Sequence, residues 1–515
     1  MVPSAQQAED HDLSERRRGG LFYSPYVWIT AAFVLSRALY YWAGIRFDTH
    51  ILASNFQFID LQLLKTRLFE SLFYFHMQPP LMNLLVGMAI KAFPDHYGAA
   101  LHALYFAAGL SSAIFLYIVM RRLGVSRAIS SSLTILFAIS PASILYENYP
   151  MYEYLIMCLL LASSVVLYKL ILQPNFWLAF VFFSLLAALA WIRNLYHLFY
   201  ILGIAAAVAF FSPKQRNTIL VAAAFPFATV LALFLKNLFV FGLFSSSSWL
   251  GQNLLTVTIH QLTDSEKTSL IEQKKLAEIA RVETGAPVAD YRPFFPDVKP
   301  TGIPVLDQEV KSSGDLNTNN MLYLKADLAY RKAALQVLRY YPVAYVRSLV
   351  IAWFAYFRPP TDFFQFEDSR LPIRRFDRMF NLVVFGQLHE ANNKELRVLR
   401  SQGRSISLAL YTGLFLIVGF PFLFFWGLIY LIQGIRRRTL TRPQIGLLVF
   451  IILNIAYIVI TTNFLSSFEN NRYAVPSDPL YVALLGLCLQ QAWMFLERRQ
   501  KESSVIQGGK LQKSH

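Results

Sequence analysis

Long apolar runs separated by polar stretches constrain this chain more than any other feature. Segments 22–44, 98–119, 126–146, 150–172, 175–192, 195–212, 217–242, 406–433, 443–463 and 475–496 each approach the ~20 residues that a bilayer core requires. With 56% hydrophobic and only 15% charged residues among 515, so many runs exclude a soluble globular chain. The fold class expected is an all-α polytopic membrane protein with about ten transmembrane helices.

The formal net charge of +16 invites a nucleic-acid reading. The basic residues, however, stand in short clusters at segment ends: Arg16 to Arg18, Arg121 with Arg122 and Arg127, Lys214 with Arg216, Arg436 to Arg438, and Arg498 with Arg499. Such clusters set topology, so no nucleic-acid partner is expected. Two further apolar segments, 80–93 and 338–357, are ambiguous. If neither crosses and the N-terminus is cytoplasmic, every cluster falls on the cytoplasmic side. If 80–93 alone crossed, Arg121, Arg122, Lys214 and Arg216 would move outside. Both segments are therefore read as interfacial or re-entrant, which suits Arg347 in the middle of the second. The first apolar segment follows a polar tail, 1–21, and is expected to remain as an anchor. Cys158 and Cys488 both lie in apolar segments and offer no disulfide framework.

This topology gathers four polar regions on the non-cytoplasmic face: 45–97, 146–150, 243–405 and 466–476. The stretch 243–405 reads as a lobe or lid of mixed secondary structure, with a helical charged middle around 264–281 and aromatic residues among its prolines. An N-terminal transmembrane module, 22–242, and C-terminal helices over 406–496 flank it, and 497–515 form a cytoplasmic tail. Within 45–97, Ile59, Leu63, Leu64, Leu68, Leu72 and Phe73 recur at helical spacing, with Gln62, Lys65, Arg67 and Glu70 opposite. That pattern predicts a helix lying in the interface.

Ionisable residues at membrane edges cost free energy and are functional suspects. Asp48, just past the first segment, suits a general base on an acceptor hydroxyl; it is equally a solvated carboxylate at a helix end. Asp60 contributes either to a substrate site or to capping of the amphipathic helix. His50 and His76 bracket the loop, and with a carboxylate they are compatible with a divalent cation, although no pair has the spacing of a zinc site. Pro79 and Pro80 start a helix. Glu147 ends a span, while Arg193, Asn194 and His197 interrupt the apolar run between two others. Arg193 is either a turn residue or, on the face of Asp48 and Glu147, a grip for an anion. Arg472 in Glu469-Asn470-Asn471-Arg472-Tyr473 is suited to phosphate by its planar, permanently charged fork. It is equally an interfacial arginine reaching to headgroups, with Tyr473 a belt aromatic. No Walker loop, dinucleotide fingerprint, serine elbow or His-Glu-x-x-His motif is present.

The order of these features resembles the C-type (GT-C) membrane glycosyltransferases that use polyprenyl-phosphate sugars, the superfamily of protein O-mannosyltransferases and lipid A aminoarabinose transferases. Phe47-Asp48-Thr49-His50 is similar to their Phe-Asp-Glu-x-His motif, with Thr49 in place of the second acid. Pro79-Pro80-Leu81 after His76 and Gln78, then Arg121-Arg122-Leu123-Gly124, then Tyr146-Glu147-Asn148, and finally Glu469 to Pro476 follow in the family's order. The resemblance covers 45–200 and 460–480, and matches 243–405 only as a large loop on the reaction side. It implies a GT-C-like bundle and transfer of a monosaccharide from a polyprenyl-phosphate donor to an acceptor hydroxyl, with inversion. Carried over, Asp48 is the base, Arg472 and Arg193 stabilise the leaving phosphate, and His76 and Gln78 help bind the donor headgroup or acceptor. Asp60, Glu147, His197 and Tyr473 complete the expected substrate site. Thr49 sets the chain apart from the protein O-mannosyltransferases and weakens a metal site built on paired acids.

The acceptor class stays open among glycan, glycolipid and protein. Three other readings compete: a transporter or scramblase of lipid-linked sugars, an O-antigen ligase or polymerase, and a non-catalytic assembly factor, for which Asp48 would be dispensable. The transporter should show pseudo-symmetric halves with matching broken helices, whereas here the halves differ. The lack of sequons and of a retrieval signal points to a bacterial inner membrane with the active site on its periplasmic or extracellular face.

Overall fold

The computed structural model describes residues 24–390, 409–467 and 469–511, with side chains through 500. The tail 1–21, residues 391–405 of the lobe and the last residues of the C-terminal tail lie outside the described residues. Each of the ten apolar segments carries a helix. Among the described residues, six are long and apolar enough to cross a membrane: Tyr97–Arg122, Tyr152–Leu172, Pro213–Phe241, Leu414–Arg436, Arg442–Leu465 and Asn470–Gln500. The pair Arg127–Ala138 and Pro141–Glu147, bent by 54°, makes a seventh if it acts as one span. The chain is thus a multi-pass integral membrane protein. Of the other three segments, Phe176–Ile192 has 17 residues and Leu198–Phe211 has 14. At 1.5 Å per residue both fall short of a full bilayer core. The first helix, Pro25–Trp42, carries Arg37 on its buried face.

The 54° bend follows from local sequence. Ser140 accepts a hydrogen bond from the Ser143 amide, and Pro141 supplies a fixed φ at the first helical position, so a new helix starts where the old one stops. The bend delivers Glu147 to Arg37. Arg37 Nε lies 3.1 Å from Glu147 Oε1 and Nη2 lies 2.7 Å from Oε2, while the Tyr154 hydroxyl donates to Oε2 at 2.9 Å. Gly109 faces this pair, and a methyl there would collide with Glu147 and Tyr154. A buried ion pair needs such additional hydrogen bonds to offset desolvation. Helix Tyr152–Leu172 runs through the centre of the bundle, packed against Tyr97–Arg122, Phe176–Ile192 and Arg442–Leu465.

The lobe is helical instead of mixed: among the described residues there is no strand, only isolated bridges such as Val310 with Leu316. Its core forms where Leu250–Val257 packs on Met321–Tyr340, burying Leu255, Tyr291, Tyr323 and Tyr330. Gly251 permits that approach, because a Cβ there would meet the Asp327 carbonyl. The charged middle splits into helix Asp264–Glu272 and a turn at Glu278–Arg281. The segment 338–357 is no single helix: Tyr340 ends one and Pro342 starts the next, Pro342–Tyr356. Likewise the amphipathic run 59–73 breaks at Arg67 into Leu61–Thr66 and Leu68–Phe73.

Lobe residues 311–319 fasten the first polar loop. Lys311 Nζ donates to the carbonyls of Asn55 and Ala53 at 2.6 and 3.1 Å, the Ser312 amide donates to Asp60 Oδ2 at 2.9 Å, and Thr318 donates to the Phe56 carbonyl at 2.6 Å. The loop that carries Asp48 is therefore clamped against the lobe.

Candidate functional site: two arginines on one buried carboxylate

Glu153 sits in the first turn of helix Tyr152–Leu172, where the helix dipole favours an acid, and is 1% exposed. Two guanidiniums from distant parts of the chain reach its Oε1. Arg193 ends helix Phe176–Ile192 in an extended conformation, so its side chain turns away from that helix and ion-pairs with Oε1. Arg472, on the short helix Asn470–Ala474, places Nε 3.3 Å from the same oxygen and Nη2 2.7 Å from Glu469 Oε2. Aromatic rings wall both cations. The Arg193 guanidinium lies 4.7 Å from the Tyr152 ring centre and 4.6 Å from that of Tyr473; Arg472 lies 4.8 Å from Tyr473 and 5.2 Å from Phe363. The Tyr473 hydroxyl donates to Glu469 Oε2 at 3.2 Å.

Close approach does not satisfy every group here. Glu153 Oε2, the hydroxyls of Tyr149 and Tyr152, and Arg472 Nε and Nη2 are buried without a hydrogen bond from the chain. Buried polar atoms are normally satisfied, so an assembly of orphaned donors and one orphaned carboxylate oxygen is a place for a polar guest. Its donors suit an oxyanion and its carboxylate oxygen suits a hydroxyl. Burial raises the Tyr149 phenol above its ordinary pKa, which keeps it a neutral donor.

Asp48 lies at the edge of this cluster. Its amide donates to the Asn148 carbonyl at 2.9 Å, which holds it beside Tyr149, and its Oδ1 accepts from the His50 amide at 2.9 Å. The Asp48 charge contributes to the raised pKa of Tyr149, together with those of Glu469 and Glu153.

An apolar cavity of about 330 Å³ is lined among others by Phe137, Phe420 and Leu485, and by Ala474 and Val475 just past Arg472 in the chain; Glu153 and the two arginines do not line it. Its polar lining includes Arg358, Tyr356 and Asp478 as well as Ser143 and Tyr154 from around the Glu147 pair, and Arg358 Nε is another orphaned donor. Tyr146 lines the cavity and also meets Phe366 edge-on at 4.7 Å, stacking farther out on Phe363, the ring over Arg472.

Of the residues expected from the sequence, Arg193, Arg472 and Tyr473 come together and Asp48 borders them. The others serve elsewhere. Asp60 caps Leu61–Thr66 through the Gln62 amide and anchors Ser312. Glu147 belongs to Arg37. His197 caps Leu198–Phe211 and packs on Phe199 and Phe234. Gln78 is buried. His76 is a structural pin: one ring nitrogen meets Ser248 Oγ at 2.8 Å, the other the Asn319 carbonyl at 2.9 Å, and burial pushes its pKa down to about 3. With both nitrogens engaged it cannot join His50 on a cation, and His50 instead faces Ser54. Among the described residues no group of three or more His, Cys, Asp or Glu is placed to hold a metal ion.

Glu153, Tyr149, Tyr152 and Phe363 did not stand out in the sequence. A lone acid one turn inside an apolar run, Met-Tyr-Glu-Tyr-Leu, was the available signal for the first. Comparison with protein-family models, with curated proteins and with solved structures finds no match.

Proposed function

We propose that this protein is a membrane-embedded glycosyltransferase that moves a monosaccharide from a polyprenyl-phosphate donor to an acceptor hydroxyl on the non-cytoplasmic face. One observation carries the reading: two buried arginines share one carboxylate, Arg472 with donors that make no hydrogen bond, and Ala474 and Val475, two and three residues on from Arg472, line an apolar cavity. A phosphate on a long hydrocarbon tail is the chemistry that needs both features at once. The tail lies in the cavity and the bilayer beyond it, the phosphate takes the place of Glu469 on Arg472, and Glu153 Oε2 accepts from a sugar hydroxyl. Aromatic faces at Tyr149, Tyr146 and Phe363 bound the sugar.

In the transfer, the acceptor oxygen attacks the anomeric carbon as its proton passes to Asp48. The bond from that carbon to the phosphate oxygen breaks, with inversion, and the added negative charge on the polyprenyl phosphate falls to Arg472 and Arg193. Donors aimed at developing charge in a water-poor site commonly contribute about 10²–10³ in rate each. The lobe clamped on the Asp48 loop would limit entry of water, which otherwise competes as acceptor. The bacterial inner membrane and a glycan, glycolipid or protein acceptor belong to this proposal, which invokes no metal.

The test is incubation of proteoliposomes with a panel of radiolabelled polyprenyl-phosphate monosaccharides. Transfer or slow hydrolysis of one donor supports the reading. Absence of both binding and turnover across the panel would overturn it.

A further inference from the structure

A second site lies away from this chemistry, where the end of helix Pro25–Trp42 meets the segment 371–376. The two enclose an open slot of about 640 Å³, walled by Leu39, Tyr40, Ala43, Leu371, Arg374 and Arg375 among others, with no acidic residue in its wall. Helix Arg374–Phe380 and its continuation Asn381–Phe385 bury Ile373, Asp377, Phe380 and Asn381 on one face. The other face holds Phe376, Met379, Leu382 and Val383 out toward the surroundings together with Arg375 and Arg378. Apolar and cationic side chains sharing one exposed face describe an element that lies in a membrane interface.

The local acids are engaged on the inner side. Arg370 draws in Asp362 at 2.8 Å, Glu390 at 2.8 Å and Asp377 at 3.7 Å, and Glu390 also meets the outer Arg374 at 3.3 Å. Glu367 and Asp368 lie outside the slot wall. Among the described residues, Arg375 and Arg378 have no acidic partner. Trp42, 80% exposed at the slot's edge, and Tyr41 beside it are placed as belt aromatics at the level of the headgroups.

We infer that this slot binds an anionic phospholipid of the surrounding bilayer. Its phosphate sits on Arg374 and Arg375, with Arg378 adding positive charge, and an acyl chain lies against Leu39 and Leu371. A bilayer lipid is the occupant favoured because the apolar wall comes from a helix of the membrane module and the exposed rings beside it suit headgroup depth. The bound lipid would also steady the segment that carries Phe363 over Arg472, because Arg370 and Asp362 connect the two.

The test needs no turnover and stands independently of the glycosyl-transfer proposal. Full-length protein is reconstituted in phosphatidylcholine vesicles containing a minor fraction of brominated phosphatidylglycerol or brominated phosphatidylcholine. The quenching owed to Trp42 is obtained by subtracting a Trp42→Phe sample. Stronger quenching by the anionic lipid is expected, with the preference falling by about fivefold for each arginine removed. It should vanish in Arg374→Gln/Arg375→Gln/Arg378→Gln; if that protein does not fold, the single changes Arg375→Gln and Arg378→Gln should each lower it. Equal quenching by the two lipids in the unaltered protein would overturn the inference, as would a preference unchanged in the variants. Loss of the preference on adding millimolar inorganic phosphate at constant ionic strength would assign the site to free phosphate instead.

Discussion

Arg472 Nε stands 3.3 Å from Glu153 Oε1, and both side chains are 1% exposed although more than three hundred residues separate them in the chain. Arg193 reaches the same oxygen from the other side. Neither arginine can leave without changing how the remaining charges are compensated. Arg472→Ala is expected to destabilise the protein by about 3–5 kcal/mol, the usual cost of breaking a buried pair from one side. Adding Glu153→Gln should recover part of that loss, because the carboxylate left short of a partner is then gone. Unfolding in mixed micelles, compared across the two single variants and the double, measures the coupling; strictly additive losses would contradict it.

The Glu147–Arg37 pair makes the opposite kind of claim, since it braces the bundle and touches no guest. Gly109→Ala pushes a methyl into Glu147 and Tyr154 and should cost about 1–3 kcal/mol, in the range of core overpacking. Donor affinity of the folded fraction should change by no more than a fewfold, because Tyr154 lines the tail cavity but neither Glu147 nor Arg37 does. A thermal melt beside a donor-binding isotherm checks both halves, and a selective loss of binding would return Glu147 to the substrate site.

His76 should make stability depend on pH. Its pKa is about 3 when folded against an ordinary 6.5, so between those values the unfolded chain binds more protons than the folded one. Its contribution is fully present above about pH 6.5 and falls as the pH drops toward 3, at most by about 1.4 kcal/mol per pH unit. Unfolding midpoints of His76→Gln between pH 7.5 and 5 should therefore slope less than those of the unaltered protein. Parallel slopes would contradict the burial of a neutral ring.

The membrane class and the helix positions were legible because apolar runs near twenty residues have few other uses. Which of those helices are long enough to cross by themselves was not. Phe176–Ile192 and Leu198–Phe211 looked like spans only when their flanking turns were counted with them, and the turn between them turned out to place Arg193 in the cluster. Arg472 was legible because a lone arginine before a proline-containing span is costly without a partner. Glu153, its partner, was hidden inside a run read as plain span. The capping role of Asp60 was legible from its place before the helix, but the long-range partners of Asp60, His76 and Glu147, namely Ser312, Asn319 and Arg37, lie more than a hundred residues away, and local spacing carries no trace of them.

Turnover by Asp48→Asn tests the proposed chemistry most directly. With a donor that the unaltered protein consumes, release of sugar is followed in proteoliposomes alongside donor binding to the same preparations. Loss of the base should lower turnover by about 10²–10⁴ while donor affinity persists, because Asp48 borders the cluster without pairing with either arginine. Turnover within a fewfold of the unaltered protein would contradict the assignment of Asp48 and, with it, the mechanism proposed for this site.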